Sequence, residues 1–437
     1  MDKNTFVISC PIDTYSGYGA RSRDVVKAII ELDKYDVKII PQRWGETTWG
    51  FIEENEEWHF LKEHLITPNL KEQPEIWCQI TVPNEFQPVG KYNIGITAGI
   101  ETTVCDAGWI EGLNKMNLNL VSSNHSKRVF ETTQYEKKDE RTNQTIGILK
   151  VEKPIEVLFE GVDVDTYLPI KKNDFWDLDL YKDINSIKED FAYLFVGHWL
   201  PGEMGEDRKN VGLMVKAFYE TFKNKQNTPA LIMKCNFLNS SYMDRREIMH
   251  RINIIKNSVD AYKLPSIYLI NGDFTNSEMN ELYNHPRVKA MVSFTKGEGF
   301  GRPLLEFSMT NKPVIASAWS GQTDFLKPEH SLLVGGRLTN IHPSAQSKNM
   351  LLDGSQWFTP DNAQVSHCLV SVFEDYKTWK LRGKKQGHYS RTNFSLGKMM
   401  GKIDELLGQY MTTIPKLQQL KLPKLTLPKL KKLENAK

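Results

Sequence analysis

Two series of short apolar runs, each run separated from the next by a longer amphipathic stretch, constrain this chain more than any other feature. The first series passes through "TFVISC", "RSRDVVKAIIEL", "DVKIIP", "NIGITAG" and "LNLVSS" and closes on "PIEVLFEGVDVDTYLP" (154–169). A polar, aromatic segment then leads to "NSIKEDF". The second series starts at "AYLFVG" (192–197) and continues through "ALIMKC", "SIYLING", "KAMVSF" and "KPVIAS". Strand-length runs alternating with helix-length ones are the pattern of βαβ units, because parallel strands need long crossover connections. The expected fold class is α/β, with two similar halves built on mainly parallel sheets. Between such halves lies a cleft facing the carboxyl ends of both sheets, where ligands bind in this architecture.

A length of 437 residues agrees with this division, being too great for one ordinary core. The boundaries read from the pattern are a first domain over 1–165, a linker or insertion over 166–190 and a second domain over 191–387. A helix over 388–411 is expected to return to the first domain, followed by an arm over 412–437. That arm repeats PKL at 415, 423 and 428, and prolines so closely spaced forbid a continuous helix, so an extended arm is expected.

Charge is uneven. The chain carries a net +2, but residues 416–437 hold seven Lys and one Glu, leaving a net −4 on the remainder. Attraction to DNA or to an anionic surface is therefore expected of the arm 415–437, and the body is not a basic nucleic-acid surface. Apolar and charged fractions of 40 % and 25 % are those of a soluble globular protein. The first apolar run is stopped by Pro11, so it suits a strand and neither a signal peptide nor a transmembrane segment. Five scattered cysteines lack paired spacing, which argues against a structural zinc or disulfide framework and for a reducing, cytoplasmic location.

The chemistry concentrates in "KAMVSFTKGEGFGRPLLEFSMTNKPVIASAWSGQTDFL" (289–326). Glu298, Gly299, Phe300, Gly301 and Arg302 fall on a strand-to-helix turn, and Pro303 suits the first helical turn. Backbone N–H groups and the helix dipole favour an anion there, and glycine allows close approach. Glu306, one turn into the helix, is placed to accept hydrogen bonds from a vicinal diol such as a ribose. Glu298 would address the group beyond the phosphates. The constellation fits a nucleotide diphosphate carrying a polar group; the plain alternative is a capping glutamate, a surface glutamate and a linking turn. A second glycine turn, "AWSGQTDFL", opening toward the same edge favours the ligand.

The stretch "EGFGRPLLEFSMTNKPVIASAWSGQTDFL" resembles the donor-site signature of retaining glycosyltransferases of family 4 (glycosyl transferases group 1), in which two glutamates are separated by seven residues. The resemblance extends to "VSSNHSKRVFE" (121–131), "IEVLFEGVDVDTYLP", "LFVGHW", "DRKNVGLMVKAF" and "INGDFTNSEMNELYN". It implies the GT-B fold, two Rossmann-like domains whose parallel sheets face an interdomain cleft, with the acceptor on the first domain and the nucleotide sugar on the second. It further implies that Glu306 binds the donor ribose, that Glu298 lies by the transferred sugar, and that the Gly299–Arg302 backbone lies beside sugar and phosphates. Lys209 matches a lysine that neutralises the diphosphate. His198 stands where the family often has an arginine, with Arg208 the nearest substitute, and Asn271 and Gly272 fall where backbone contacts the base. No cofactor or metal is expected, and a UDP-sugar is the favoured donor.

Other residues are weaker candidates. "TYSGYGARSRD" places Gly17 and Gly19 on the first strand-to-helix turn, facing the donor phosphates, with Arg21 nearby for the acceptor. Glu101 and Thr102 in "AGIETTVCDAGW", and Trp44 and Trp49 in "PQRWGETTWGF", are further acceptor candidates; the tryptophans are either core anchors or a stacking platform. His125 lies near a cleft edge, where an ordinary hydrogen-bonding role suits it. The pairs Asp163/Asp165 and Asp177/Asp179 imitate a metal-binding DxD but arise easily by chance. The expected function is a metal-independent retaining glycosyltransferase with an unidentified acceptor. Its rivals are a transferase acting on a hydroxylated pyrimidine of DNA and a non-catalytic sugar-nucleotide-binding or scaffold protein.

Overall fold

The structure is a computed structural model that describes residues 3–139, 141–170, 178–237 and 241–411. The first domain's strands are β1 (Asn4–Cys10), β2 (Tyr35–Pro41), β3 (Ile76–Ile80), β4 (Tyr92–Thr97) and β5 (Leu118–Val121), then a hairpin of β6 (Tyr135–Lys138) and β7 (Thr145–Leu149), then β8 (Ile155–Val157). The second domain's are β9 (Ala192–His198), β10 (Ala230–Asn236), β11 (Ile267–Ile270), β12 (Val288–Ser293), β13 (Val314–Ser317) and β14 (Leu332–Val334), followed by a hairpin of β15 (Gly336–Asn340) and β16 (Gln356–Pro360).

Each domain holds one parallel six-stranded sheet. The orders are β2-β1-β3-β4-β5-β8 and β11-β10-β9-β12-β13-β14. The two halves are thus not copies. The second has the dinucleotide-fold order and reverses direction between β9 and β12; the first reverses between β1 and β3.

Both faces of each sheet are covered. Along β1, Phe6 and Ile8 pack with Val25, Val26 and Ile29 of helix Gly17–Glu31 and with Met399, Ile403 and Leu407 of the last helix, Leu396–Tyr410. Val7, between them, points to the opposite core around Trp77, Trp109 and Phe130. In β9, Tyr193 and Phe195 face helix Val211–Phe222, while Leu194 faces Leu304, Leu305 and Phe307. Period-two alternation with both faces apolar explains why these strands read as unbroken apolar runs.

Two parts of the chain differ from the sequence reading. Of 166–190, residues 166–170 and 178–190 are described, and among these Tyr167, Ile184 and Ile187 are buried in the second domain's core. The helix expected over 388–411 is two helices, Tyr376–Asn393 and Leu396–Tyr410, with Ser395 capping the second. Phe394 breaks them where the chain crosses back: Val162 N–H donates to Phe394 O at 3.0 Å and Leu396 N–H to Val162 O at 2.8 Å. The Phe394 ring packs on Phe159, at 5.0 Å, and on Phe300 and Phe325. The last helix then lies on helix Gly17–Glu31, tied at its surface by Lys34 and Asp404 at 2.5 Å. The arm 412–437 lies outside the described residues.

Candidate functional site

The reversal between β9 and β12 opens a crevice at their carboxyl ends, and the loops after these two strands bring the charged candidates together. Lys209, from the loop after β9, places Nζ 2.6 and 2.7 Å from the two carboxylate oxygens of Glu298, from the loop after β12. Arg208 donates to Gly297 O at 2.7 Å and stands 3.5 Å from both Glu298 and Glu101 of the first domain. Glu298 is 8 % exposed. Burial opposes its ionisation, but Lys209 and Arg208 outweigh that and hold its carboxyl below the ordinary range. For Lys209 burial prevails and lowers its pKa, with Glu298 pulling the other way. The result is an enclosed, nearly balanced cluster with two cations beside the crevice.

The loop that presents these cations is itself anchored. Asp207 accepts from Val211 N–H at 3.0 Å, and burial pushes its carboxyl up to about 6. Asn210 sits at positive φ (56°) before the next helix and donates to Phe294 O at 3.1 Å, pinning the first loop to the second.

The glycine cluster serves a purpose that sequence alone did not indicate. A Cβ on Gly297 would lie 2.0 Å from Glu101 O, and one on Gly299 2.2 Å from Ala98 O. These glycines let the first domain's 98–101 loop touch the turn directly. Ser122 Oγ reinforces the contact by donating to Gly299 O at 3.1 Å. Gly301, at φ +101°, begins helix Arg302–Ser308 in a conformation that favours glycine. Phe300 is 2 % exposed in the core, so only its backbone can meet a ligand. The second glycine turn also acts here: Glu298 N–H donates to Ser320 Oγ at 2.9 Å, and Gly321 N–H to Glu298 O at 3.0 Å. Ser320 does this at φ 70°, a left-handed conformation costly for serine and characteristic of functional loops.

Glu306 accepts from Arg302 Nε at 2.8 Å and from Tyr283 Oη at 3.2 Å. Burial raises its carboxyl pKa against the pull of Arg302. Arg302 also donates to Asp24 of the first domain.

His198 keeps an exposed edge at the end of β9, with Nδ1 2.5 Å from Phe237 O. Desolvation, with Lys209, Lys234 and Arg208 nearby, pushes its pKa below the ordinary value. Asn271 and Gly272 follow β11, where Asn236 Oδ1 receives Asn271 Nδ2 at 3.0 Å and Gly272 N–H at 3.2 Å. Gly272, at φ +145°, has open space where a Cβ would be.

On the first domain, Ser16 caps helix Gly17–Glu31 by accepting from Gly19 N–H at 2.9 Å, and Gly19 is pressed against Thr14 O. Gly17 faces open space. Arg21 is not brought to the cleft. It is 1 % exposed and donates to Leu158 O, Phe159 O and Met399 Sδ, fastening the interdomain crossover. Thr102 is also turned inward, donating to Val104 O at 3.0 Å. Trp44 stacks on Tyr18 with ring centres 4.0 Å apart, and Arg43 lies 4.7 Å above Trp49; both tryptophans stay half-buried at the end of β2. His125 packs edge-on against Trp319 at 4.5 Å, and burial lowers its pKa to about 4.

Among the described residues no group of three or more His, Cys, Asp or Glu could hold a metal ion, and no helix is long and apolar enough to cross a membrane. Asp163 is occupied in a turn, accepting from Asp165 N–H at 3.0 Å and Thr166 Oγ1 at 3.3 Å. Asp177 lies outside the described residues.

Comparison with known proteins agrees with this geometry at the level of fold. No family model and no curated protein matches the sequence. Solved structures do. HepE of Anabaena in complex with UDP and glucose superposes with a TM-score of 0.59, at 11 % identity, over 93 % of this chain and 100 % of its own. A glycosyltransferase of Rickettsia africae gives 0.60 at 14 % identity over 94 % and 100 %. A UDP-forming α,α-trehalose-phosphate synthase of Burkholderia xenovorans gives 0.61 at 10 % over 93 % and 100 %. The fold is GT-B. In this GT-B chain the Lys209–Glu298 cluster occupies the second sheet's reversal point, and the first domain closes over it through Glu101, Ala98 and Ser122.

Proposed function

We propose that the chain is a glycosyltransferase that moves a sugar from a nucleoside diphosphate donor, with a UDP-sugar favoured, to an acceptor hydroxyl. The observation that carries this reading is the convergence of Lys209, Arg208 and Glu298 at the reversal point of a parallel sheet. Donors of the same class are consistent with the structural neighbours, among them an Anabaena protein described in complex with UDP-glucose.

The chemistry follows from charge. The bond from the anomeric carbon to the diphosphate oxygen breaks, its electron pair staying on the diphosphate. Lys209 and Arg208, preorganised in a partly dry site, stabilise that developing charge without a metal. The acceptor oxygen bonds to the anomeric carbon on the face the diphosphate leaves, and its proton passes to the departing diphosphate oxygen; configuration is retained. Glu298 faces the sugar, Glu306 takes the ribose hydroxyls, and the backbone at Asn271 and Gly272 addresses the base. Until the donor arrives, Glu298 and Glu101 neutralise the two cations. Trp44, on the first domain, is the acceptor-side stacking surface. Five unpaired cysteines, four of them buried, suit a reducing compartment such as the cytoplasm.

The DNA-base reading draws on the basic arm 415–437. Against it stands a cavity of about 840 Å³ between the domains, whose lining includes Glu54, Glu56, Glu57, Asp165 and Glu281, a poor approach for a polyanion. The test is incubation with nucleotide sugars and candidate acceptors, followed by mass spectrometry. A glycosylated product excludes the non-catalytic reading, and its identity names the acceptor.

A further inference from the structure

Arg302 joins two carboxylates that come from different domains. Its Nε lies 2.8 Å from Glu306 Oε1, one helical turn ahead, and its Nη1 donates to Asp24 Oδ2 in helix Gly17–Glu31, 278 residues away in sequence. Asp24 and Glu306 are 8 % and 6 % exposed. The second Glu306 oxygen receives the hydroxyl of fully buried Tyr283 at 3.2 Å.

A salt bridge from Arg302 to Glu306 alone would serve the short helix that carries both. The bond to Asp24 adds something that helix does not require. A guanidinium is a rigid planar fork, so fixing one edge on Asp24 fixes the direction from which the other edge meets Glu306. With Arg302 on one oxygen and Tyr283 on the other, the plane of the Glu306 carboxylate is set. Each oxygen retains a further lone pair, enough for the two hydroxyls of a vicinal diol.

We propose that Asp24 is a positioning residue of the donor site: through Arg302 it orients Glu306 toward the ribose, making donor affinity depend on the seating of the first domain. This inference rests on the reading of Glu306 as the ribose-binding group. Asp24 itself touches no donor.

Two probes separate positioning from general support. UDP carries a ribose and a diphosphate, whereas inorganic pyrophosphate offers only the second. Calorimetry on the full chain should show that Asp24→Asn weakens UDP binding about tenfold and leaves pyrophosphate binding unchanged. Placed on Glu306→Gln, which itself weakens UDP, Asp24→Asn should add nothing further. Equal weakening of UDP and pyrophosphate would overturn the proposal, because it would mark a general loosening of the domains. Unchanged UDP affinity in Asp24→Asn, with Glu306→Gln impaired, would overturn it while leaving the ribose assignment standing. Unchanged UDP affinity in Glu306→Gln would defeat both. Should Asp24→Asn not fold, Asp24→Glu, which keeps the charge and displaces the anchored edge of the fork by one methylene, is read with the same two probes.

Discussion

Lys209 and Glu298 form a largely buried ion pair, 2.6 Å apart, at the carboxyl ends of the neighbouring strands β9 and β12. Each comes from the loop after one of these central strands, so the pairing of β9 with β12 brings the two side chains together. A buried pair of this kind is weak evidence for stability, since desolvation offsets much of its attraction. Its position and its second cation, Arg208, give it meaning as a site.

Lys209→Ala should therefore reduce turnover more than donor affinity, because the diphosphate gains charge only as its bond breaks. A loss of at least about tenfold in kcat is expected for removing one such cation. Steady-state kinetics on a variant shown to be folded by its melting curve checks this. Rates equal to the parent's would move the phosphate site elsewhere, with Arg208 and His198 next to test.

Glu306→Ala removes two charge-assisted hydrogen bonds to the ribose and should weaken UDP binding by about 30- to 1000-fold, on the order of 2 to 4 kcal/mol. Calorimetry measures it directly. An unchanged affinity in the folded variant would remove Glu306 from the site.

His198 gives nucleotide binding a pH dependence of definite sign. Its pKa in the free protein is depressed by desolvation and by the neighbouring cations, so the ring is neutral at pH 7. A bound diphosphate raises that pKa, and the complex takes up a proton. UDP should then bind the parent increasingly better than His198→Gln as pH falls from about 8 to 6. Calorimetry in buffers of different ionisation enthalpy detects the proton; a parent and variant with identical pH profiles would place the diphosphate away from the ring.

Folding stability carries a second pH signature. His285, 1 % exposed, has its pKa lowered from 6.5 to about 4 by burial and by neighbouring cations, Lys312 first among them. The unfolded chain binds the extra proton between these values. The stabilising contribution is therefore complete above pH 6.5 and lost as pH falls through about 4, by up to about 3 kcal/mol. Asp207, raised to about 6, acts in the opposite sense. The expected observation is that His285→Gln flattens the acid limb of the melting temperature against pH; an unchanged slope would show that His285 is protonated in the fold.

The sequence made the two parallel sheets legible because strands buried on both faces leave unbroken apolar runs of strand length. It made Glu298 legible as a candidate because it sits on the turn between such a run and a helix, whereas Lys209 and Arg208 entered only through the resemblance of "DRKNVGLMVKAF" to the glycosyltransferase pattern. Their partners were hidden. Asp24 lies inside "RSRDVV", where nothing local marks it, and meets Arg302 only through the packing of two domains. Arg21, three residues earlier, looked like an exposed cleft arginine, yet it fastens the crossover at Leu158 and Phe159, a contact fixed by the returning chain. Gly297 and Gly299 were legible as a tight turn, but their reason, contact with Glu101 and Ala98, is tertiary. Ser320 gives no sequence signal for its positive φ, since serine rarely adopts it.

The basic arm yields a prediction from charge alone. Deleting residues 415–437 should leave donor hydrolysis intact and raise KM for a polymeric anionic acceptor, with the difference between the two enzymes shrinking as salt rises. Identical behaviour of truncated and full chains at every salt concentration would show that the arm does not dock the acceptor.

The decisive measurement of sugar transfer is release of nucleoside diphosphate from a panel of nucleotide sugars, followed with and without chelator and with the anomeric configuration of the product read by NMR. A UDP-sugar should be consumed, chelator should leave the rate unchanged, Lys209→Ala should cut it at least about tenfold, and the product should keep the donor's configuration. A folded enzyme that consumes no nucleotide sugar, or one that does so only with a divalent metal or with inversion, would contradict the proposed transfer.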